Sequence, residues 1–154
     1  MPYDGGTMRA LSLLFALAPL TFAGCENGAT TTATPFTCTP GATIEVGCNS
    51  SSSCGGMGSC TGDPVLAVCD GIYGVSSCAS GTGQIATNDD CSGLCPYLSA
   101  ICPASGRMVV SARAFRSGSA FTCNWRARGP GIAGAGGGSG GANGVLNLAP
   151  DSGL

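Results

Sequence analysis

Eleven cysteines constrain this 154-residue chain more than any other feature. Ten of them lie from Cys38 to Cys123, and the eleventh, Cys25, stands apart behind an apolar segment. Zinc sites usually need Cys-x2-Cys pairs or histidines, and this chain contains neither. Disulfides, in contrast, brace small domains in oxidising compartments, where they persist. The pattern therefore predicts a disulfide framework, formed by Cys38, Cys48, Cys54, Cys60, Cys69, Cys78, Cys91, Cys95, Cys102 and Cys123.

A short apolar segment precedes Cys25. Residues 11–23 are almost all apolar, but a membrane span needs ~20 such residues, so the segment predicts an export signal. Arg9 supplies the positive charge expected before such a segment. Because Asp4 is out of place there, we expect translation to start at Met8.

The run Phe22-Ala23-Gly24-Cys25 resembles the lipobox of bacterial lipoproteins. In that family the cysteine thiol is alkylated with diacylglycerol and the preceding peptide is removed. The resemblance implies a lipoprotein-type signal peptide over residues 1–24 and a membrane anchor through a lipid on Cys25. An ordinary signal peptide cleaved nearby is the alternative, and it would leave Cys25 as a free or paired thiol.

Composition divides the rest of the chain into a tether, a folded body and a tail. Residues 25–34 are rich in Thr and Ala and lack apolar periodicity, which is typical of a flexible tether. The cysteine-rich body follows over residues 35–128. Nine of the sixteen residues 129–144 are glycine, and such a stretch buries too little to offset its ordering entropy. We therefore expect a disordered Gly-rich tail over residues 129–154; an out-of-frame extension of a GC-rich gene is an alternative origin for it.

The body consists of short apolar runs separated by turn residues, which predicts an all-β, antiparallel β-sandwich. The run Pro64 to Cys69 is almost continuously apolar, as in a strand buried on both faces. Phe121, Cys123 and Trp125 alternate with polar residues, as in a strand with one buried face. The predicted strands are residues 36–38, 43–46, 64–69, 84–87, 97–102, 107–114 and 120–125.

Four motifs in this order resemble the bacterial pre-peptidase C-terminal domain. They are the strand and Pro-Gly turn of residues 36–46, the Asp-Pro-Val-Leu-Ala-Val-Cys-Asp-Gly strand of residues 63–71, the Asn-Asp-Asp turn of residues 88–90, and the Pro-Ala-Ser-Gly turn and Val-rich strand of residues 102–110. The resemblance implies a jelly-roll-like sandwich that accompanies secreted peptidases as a non-catalytic module. This chain departs from the family in its many cysteines, and we expect no catalytic domain to accompany the module.

The order of ten cysteines leaves their connectivity open. One pairing follows if the first and last strands of the sandwich lie side by side, as sandwiches of this sort often allow. Cys38 and Cys123 would then face each other from matching Phe-Thr-Cys triplets.

A calcium site is one reading of the acidic residues near the predicted hairpin of residues 64–69 and 84–87. Antiparallel pairing would bring Asp63 beside Asn88, Asp89 and Asp90, whose hard oxygen atoms suit Ca²⁺. The alternative is that these side chains only hydrogen-bond the backbone of their own turn. No other cofactor is indicated.

Catalysis is not expected. The chain has neither histidine nor lysine, the usual groups for acid–base chemistry at neutral pH, and Asp89 and Asp90 are too close together for a glycosidase pair. Nucleic acid is not an expected partner either, because the arginines alternate with apolar residues as on a solvated strand face. These are Arg107, Arg113, Arg116, Arg126 and Arg128. Their charge can attract the six acids between Glu26 and Gly106.

The sequence thus predicts a lipid-anchored, extracytoplasmic protein of the bacterial cell envelope. It would act as a non-catalytic binding or surface-structural module for a protein or a glycan. The alternative is an accessory subunit or inhibitor of a separately encoded secreted hydrolase. The ligand, the choice of inner or outer membrane and the oligomeric state stay open.

Overall fold

A computed structural model describes residues 33–134 and 141–149, which form antiparallel strands and one short helix. The predicted all-β sandwich is confirmed, and each predicted strand is present with shifts of a few residues at its ends. The elements are β1 (Ala33–Thr37), β2 (Thr43–Gly47), β3 (Ser59–Thr61), β4 (Pro64–Asp70), α1 (Val75–Ala79), β5 (Gln84–Asn88), β6 (Tyr97–Ile101), β7 (Arg107–Ala114), β8 (Phe121–Arg128), β9 (Ala133–Gly134) and β10 (Gly141–Leu148).

The strands build two sheets that pack face to face. Sheet A has the strand order β5-β4-β7-β1-β9. Sheet B has the order β10-β8-β2-β6, and β3 pairs with the first half of β8. All of these pairs are antiparallel.

The core lies between the two sheets and follows the alternation of each strand. Ile44 and Val46 of β2 are fully buried, while Glu45 between them faces outward. Trp125 of β8 is the largest fully buried side chain, and its ring centroid lies 5.8 Å from that of Phe36 in the opposite sheet. The aromatic contact therefore joins the two layers.

Strand β4 is buried on both faces, as predicted. Leu66 and Val68 point into the core between the sheets. Cys69 lies on the outer face, where it packs with Val109 and with Cys78 of α1. The Cys69–Cys78 disulfide thus holds the helix over the outer face of sheet A.

All ten cysteines that were predicted to form disulfides are paired. The five bridges are Cys38–Cys102, Cys48–Cys123, Cys54–Cys91, Cys60–Cys95 and Cys69–Cys78.

The predicted Cys38–Cys123 pairing is wrong, because the first strand and β8 belong to different sheets. Cys123 instead bonds Cys48, which follows the neighbouring strand β2, with 5.4 Å between their Cα atoms. Cys38 bonds Cys102, with a Cα–Cα distance of 6.0 Å. These two residues lie at the corners where the chain passes from one sheet to the other, so the bridge ties the sheets together at that end.

The expected disorder over residues 129–154 is wrong for residues 129–134 and 141–149. Strand β10 pairs along its whole length with β8, from Gly141 opposite Arg128 to Leu148 opposite Phe121. Its Ala142 and Leu146 are buried in the core. A glycine-rich stretch becomes ordered here because an existing sheet supplies its hydrogen-bond partners and its few apolar residues fall on one face. Residues 135–140 and 150–154 lie outside the described residues.

The predicted boundary of the tether also shifts. Strand β1 begins at Ala33, so residues 33 and 34 belong to the sandwich. The rest of the predicted tether and the predicted signal peptide lie outside the described residues.

Loss of the Cys48–Cys123 bridge should destabilise the fold more than loss of Cys69–Cys78. The bridges close loops with sequence separations of 75 and 9 residues. The intact Cys38–Cys102 bridge shortens the longer loop in the unfolded chain, but Cys48–Cys123 should still contribute about 1 kcal/mol more to stability through chain entropy. Both bridges are buried, so the two Cys→Ala pairs should leave cavities of similar cost, and this cost cancels from the comparison. Denaturant unfolding of the two double-alanine variants measures the difference; equal losses would contradict this ranking.

Gly144→Ala should destabilise the protein by ~1–3 kcal/mol, as overpacking does in a filled core. A Cβ at this position would lie 2.8 Å from Nε1 of Trp125. Gly141→Ala in the same strand is the matched control, because its Cβ would meet no atom closer than 3.6 Å. We expect the control to stay within about 0.5 kcal/mol of the wild type in thermal or denaturant unfolding. A silent Gly144→Ala variant would mean that β10 does not pack against Trp125.

Candidate binding groove

A groove crosses the outer face of sheet B, where β8 and β10 run beside the loop of residues 48–58. We call it the β8–β10 groove, and its volume is about 480 Å³. This size lies within the range of ~300–1,000 Å³ that is usual for small-molecule sites. The side chains that line it are Ser50, Ser59, Asn124, Trp125, Arg126, Asn143 and Val145, together with Gly56, Gly58 and Gly144.

Two neighbouring strands place most of these side chains by simple alternation. In β8, Asn124 and Arg126 are exposed while the residues between and beside them are buried. In β10, Asn143 and Val145 are exposed on the same face. The register sets Asn143 opposite Arg126 and Val145 opposite Asn124, so the four side chains form a compact cluster.

The loop of residues 48–58 forms the other wall and is held at several points. The Cys48–Cys123 and Cys54–Cys91 bridges tie it to β8 and to the segment after β5. Within the loop, buried Asn49 donates from Nδ2 to the carbonyl oxygen of Ser92 at 3.3 Å and accepts at Oδ1 from the backbone N–H of Ser51 at 2.9 Å. The wall is therefore fixed before any ligand arrives.

Gly58 allows this loop to approach β8 closely. Its φ of +83° lies in the left-handed region, and a Cβ there would overlap the backbone carbonyl oxygen of Asn124. One residue later, Ser59 Oγ accepts a hydrogen bond of 3.2 Å from Nδ2 of Asn124. This bond joins the loop side of the groove to its β8 side.

The two arginines of β8 differ in their charge partners. Arg128 donates from Nε to Oε2 of Glu45, the residue opposite it in β2. Arg126 instead faces Gly47 across β2 and Asn143 across β10. Within residues 33–134 and 141–149, Arg128–Glu45 is the only ion pair. Arg126 therefore brings an uncompensated positive charge to the groove.

Glu45 lies at the centre of a small charged network beside the groove. Its hydrogen bonds from Arg128 and from the Tyr97 hydroxyl both hold the pKa of the carboxyl below its ordinary value, against a weaker opposing effect of burial. The same bond raises the pKa of Tyr97, because ionisation would set a phenolate against the carboxylate. The predicted attraction between the acidic and arginine-rich halves is thus realised in this pair.

Among the four candidate calcium ligands, Asn88 has its side chain engaged in backbone hydrogen bonds. Asn88 accepts at Oδ1 from the backbone N–H of Asp90 at 3.3 Å and donates from Nδ2 to the carbonyl oxygen of Tyr97 at 2.6 Å. Its side chain therefore does what the turn-bonding alternative requires. In the described part of the chain, Asp63, Asp89 and Asp90 belong to no group of three or more acidic, Cys or His side chains able to hold a metal. Calcium binding stays a prediction from the sequence.

The groove was not predicted from the sequence. The alternation of Phe121, Cys123 and Trp125, continued along β8, would have placed Arg126 beside Asn124 on the outer face. The second side of the groove lay in the segment expected to be disordered, so Asn143 and Val145 gave no signal. Cys25, the predicted lipid attachment site, lies outside the described residues.

The Glu45 network should make stability depend on pH. Because the folded-state pKa is lowered, the ionised carboxylate stabilises the fold fully above its ordinary pKa, and this contribution is lost as pH falls through the lowered value. Glu45→Gln should therefore be less stable than wild type at about pH 7, and this difference in stability should shrink as pH falls below the ordinary glutamate pKa of about 4.3. Tyr97→Phe removes one of the two hydrogen bonds and should show part of the same effect. A difference between wild type and Glu45→Gln that did not change with pH in chemical unfolding would contradict this assignment.

No protein family, curated protein or solved structure matches the chain. No helix within the described residues is long and apolar enough to span a membrane. The likeness to the pre-peptidase C-terminal domain therefore stays a prediction.

Proposed function

We propose that this protein is a non-catalytic binding module of the bacterial cell envelope. A lipid on Cys25 anchors it to the membrane, and the β8–β10 groove holds its ligand. The observation that carries this proposal is the uncompensated Arg126, set among amides and hydroxyls in a groove of about 480 Å³.

The covalent framework supports an extracytoplasmic binding role. The sandwich contains five disulfides. Disulfides persist in oxidising compartments and are rare in cytosolic proteins. Two of them fix the groove-forming loop to the rest of the sandwich. A site whose walls are already in place loses little conformational entropy on binding.

The chemistry of the groove supports binding without turnover. Its side chains are those of serine, asparagine, arginine, valine and tryptophan, none of which acts as a general base without a suitable neighbour. The whole chain lacks histidine and lysine. The arrangement can recognise and retain a polar ligand.

A second candidate function is an accessory subunit or inhibitor of a separately encoded secreted hydrolase. It is favoured by exposed apolar side chains beside α1, where Ile72 and Tyr73 are 62% and 51% exposed. They adjoin an apolar cleft of about 230 Å³ on sheet A, lined in part by Val75. Exposed apolar surface of this kind suits contact with a protein.

Blocking the groove should abolish binding of the protein to its ligand in the cell envelope. Asn143→Trp would fill the groove from β10, whereas Ser117→Trp, in the exposed β7–β8 loop, adds the same bulk elsewhere. We expect wild type and Ser117→Trp to cosediment with delipidated envelope material, and Asn143→Trp to stay in the supernatant. In the producing cells, fatty-acid labelling should mark wild type and be lost in Cys25→Ala.

Two results would count against the proposal. Undiminished cosedimentation of a folded Asn143→Trp variant would remove the groove as the binding site. Wild type without a fatty-acid label would remove the anchor. Mass spectrometry of the intact disulfides and thermal unfolding confirm that each variant is folded.

A further inference from the structure

We propose that the ligand of the β8–β10 groove is a carbohydrate chain that carries carboxylate groups, and that Arg126 binds one of them. This inference rests on the proposed function, because it names the ligand class of the same groove. It follows from the kinds of polar group that the groove presents and from their position on the sheet.

The charge of the groove selects an anion. Arg126 is exposed, and neither of its cross-strand neighbours, Gly47 and Asn143, can neutralise it. None of the residues that line the groove is acidic. A guanidinium group binds a carboxylate through two parallel hydrogen bonds, which gives both affinity and orientation.

The neutral groups around Arg126 select a ligand rich in hydroxyls. Asn124 donates a hydrogen bond from Nδ2 to Ser59 Oγ. The Asn124 side-chain oxygen can therefore still accept a hydrogen bond from a ligand, and the Ser59 hydroxyl can still donate one. Asn143 and Ser50 add both kinds of group. A bare anion needs donors only, whereas sugar hydroxyls both donate and accept. The mixture therefore fits an acidic sugar better than a simple anion.

The position of the groove disfavours a peptide. Extended peptides bind by adding a strand to the edge of a sheet, where backbone groups are unpaired. Although β10 is the edge strand of sheet B, the groove lies on the outer face of β8 and β10. Its surface offers side chains, which suit a ligand read through its own polar substituents.

Nucleic acid is disfavoured by the amount of charge. Binding to a nucleic acid draws on several cationic contacts to successive phosphates. Here Arg128 is neutralised by Glu45, and Arg126 is the one cation that lines the groove in the described part of the chain. A single arginine suffices to bind one carboxylate of a sugar chain whose carboxylates are widely spaced.

The test measures binding of the full chain, with disulfides intact, to three uronic-acid polymers: polygalacturonate, alginate and hyaluronate. Methyl-esterified polygalacturonate serves as the neutral counterpart and poly-aspartate as the acidic peptide. Arg126→Met keeps most of the side-chain length and removes the charge. Arg116→Met, in the exposed β7–β8 loop, is the control with the same change of net charge.

We expect at least one uronic-acid polymer to bind in isothermal titration calorimetry. Arg126→Met should weaken it by about tenfold or more, as loss of a charge-assisted hydrogen bond does. Arg116→Met should bind like wild type, and the neutral ester and poly-aspartate should bind at least tenfold more weakly than the acidic sugar.

Four results would overturn the inference: no binding to any of the three polymers, equal binding of the neutral ester, equal or tighter binding of poly-aspartate, or an equal loss in Arg116→Met. Each leaves the groove-blocking experiment with Asn143→Trp untouched. Failure of the ligand class is therefore distinguishable from failure of the groove as a binding site.

Discussion

The Cys48–Cys123 bridge is the constraint on which the rest of this structure depends. Both sulfurs are buried in the core, and the bond joins the end of β2 to the middle of β8. It holds together the two central strands of sheet B and marks the point where the chain leaves β2 to form the wall of the groove. A chain with 27 glycines has few large side chains with which to define such a geometry. A disulfide favours this geometry by reducing the number of conformations open to the unfolded chain.

Strand register then decides which charge is free for binding. With β2 and β8 in the observed register, Glu45 lies opposite Arg128 and Gly47 lies opposite Arg126. One arginine is therefore neutralised and held, while its neighbour two residues away keeps its charge. A shift of one residue would turn the outward side chains of β8 into the core. The burial of Trp125 and Cys123 on the inner face opposes such a shift, so the core and the groove depend on the same register.

The features that follow from local pattern were predictable. The alternation around Trp125 and the apolar run of β4 identified strands, and the cysteine spacings identified disulfides rather than zinc ligands. The pairing of Cys38 was not predictable, because it depends on which sheet receives each strand. Strand β10 was missed for a related reason: its alternation of Ala142, Leu146 and the glycines is weak on its own and becomes a strand only beside β8.

Composition and periodicity were enough to predict a disulfide-braced β-sandwich, since residue spacing, parity and local apolar runs can be read along one chain. Export stays a prediction from the same kind of pattern. The groove required the folded arrangement. Its Arg126 and Asn143 lie on different strands and meet through the β8–β10 ladder, and the Glu45–Arg128 pair that leaves Arg126 free spans 83 residues. Such contacts arise from the order and register of strands, which a linear pattern does not encode.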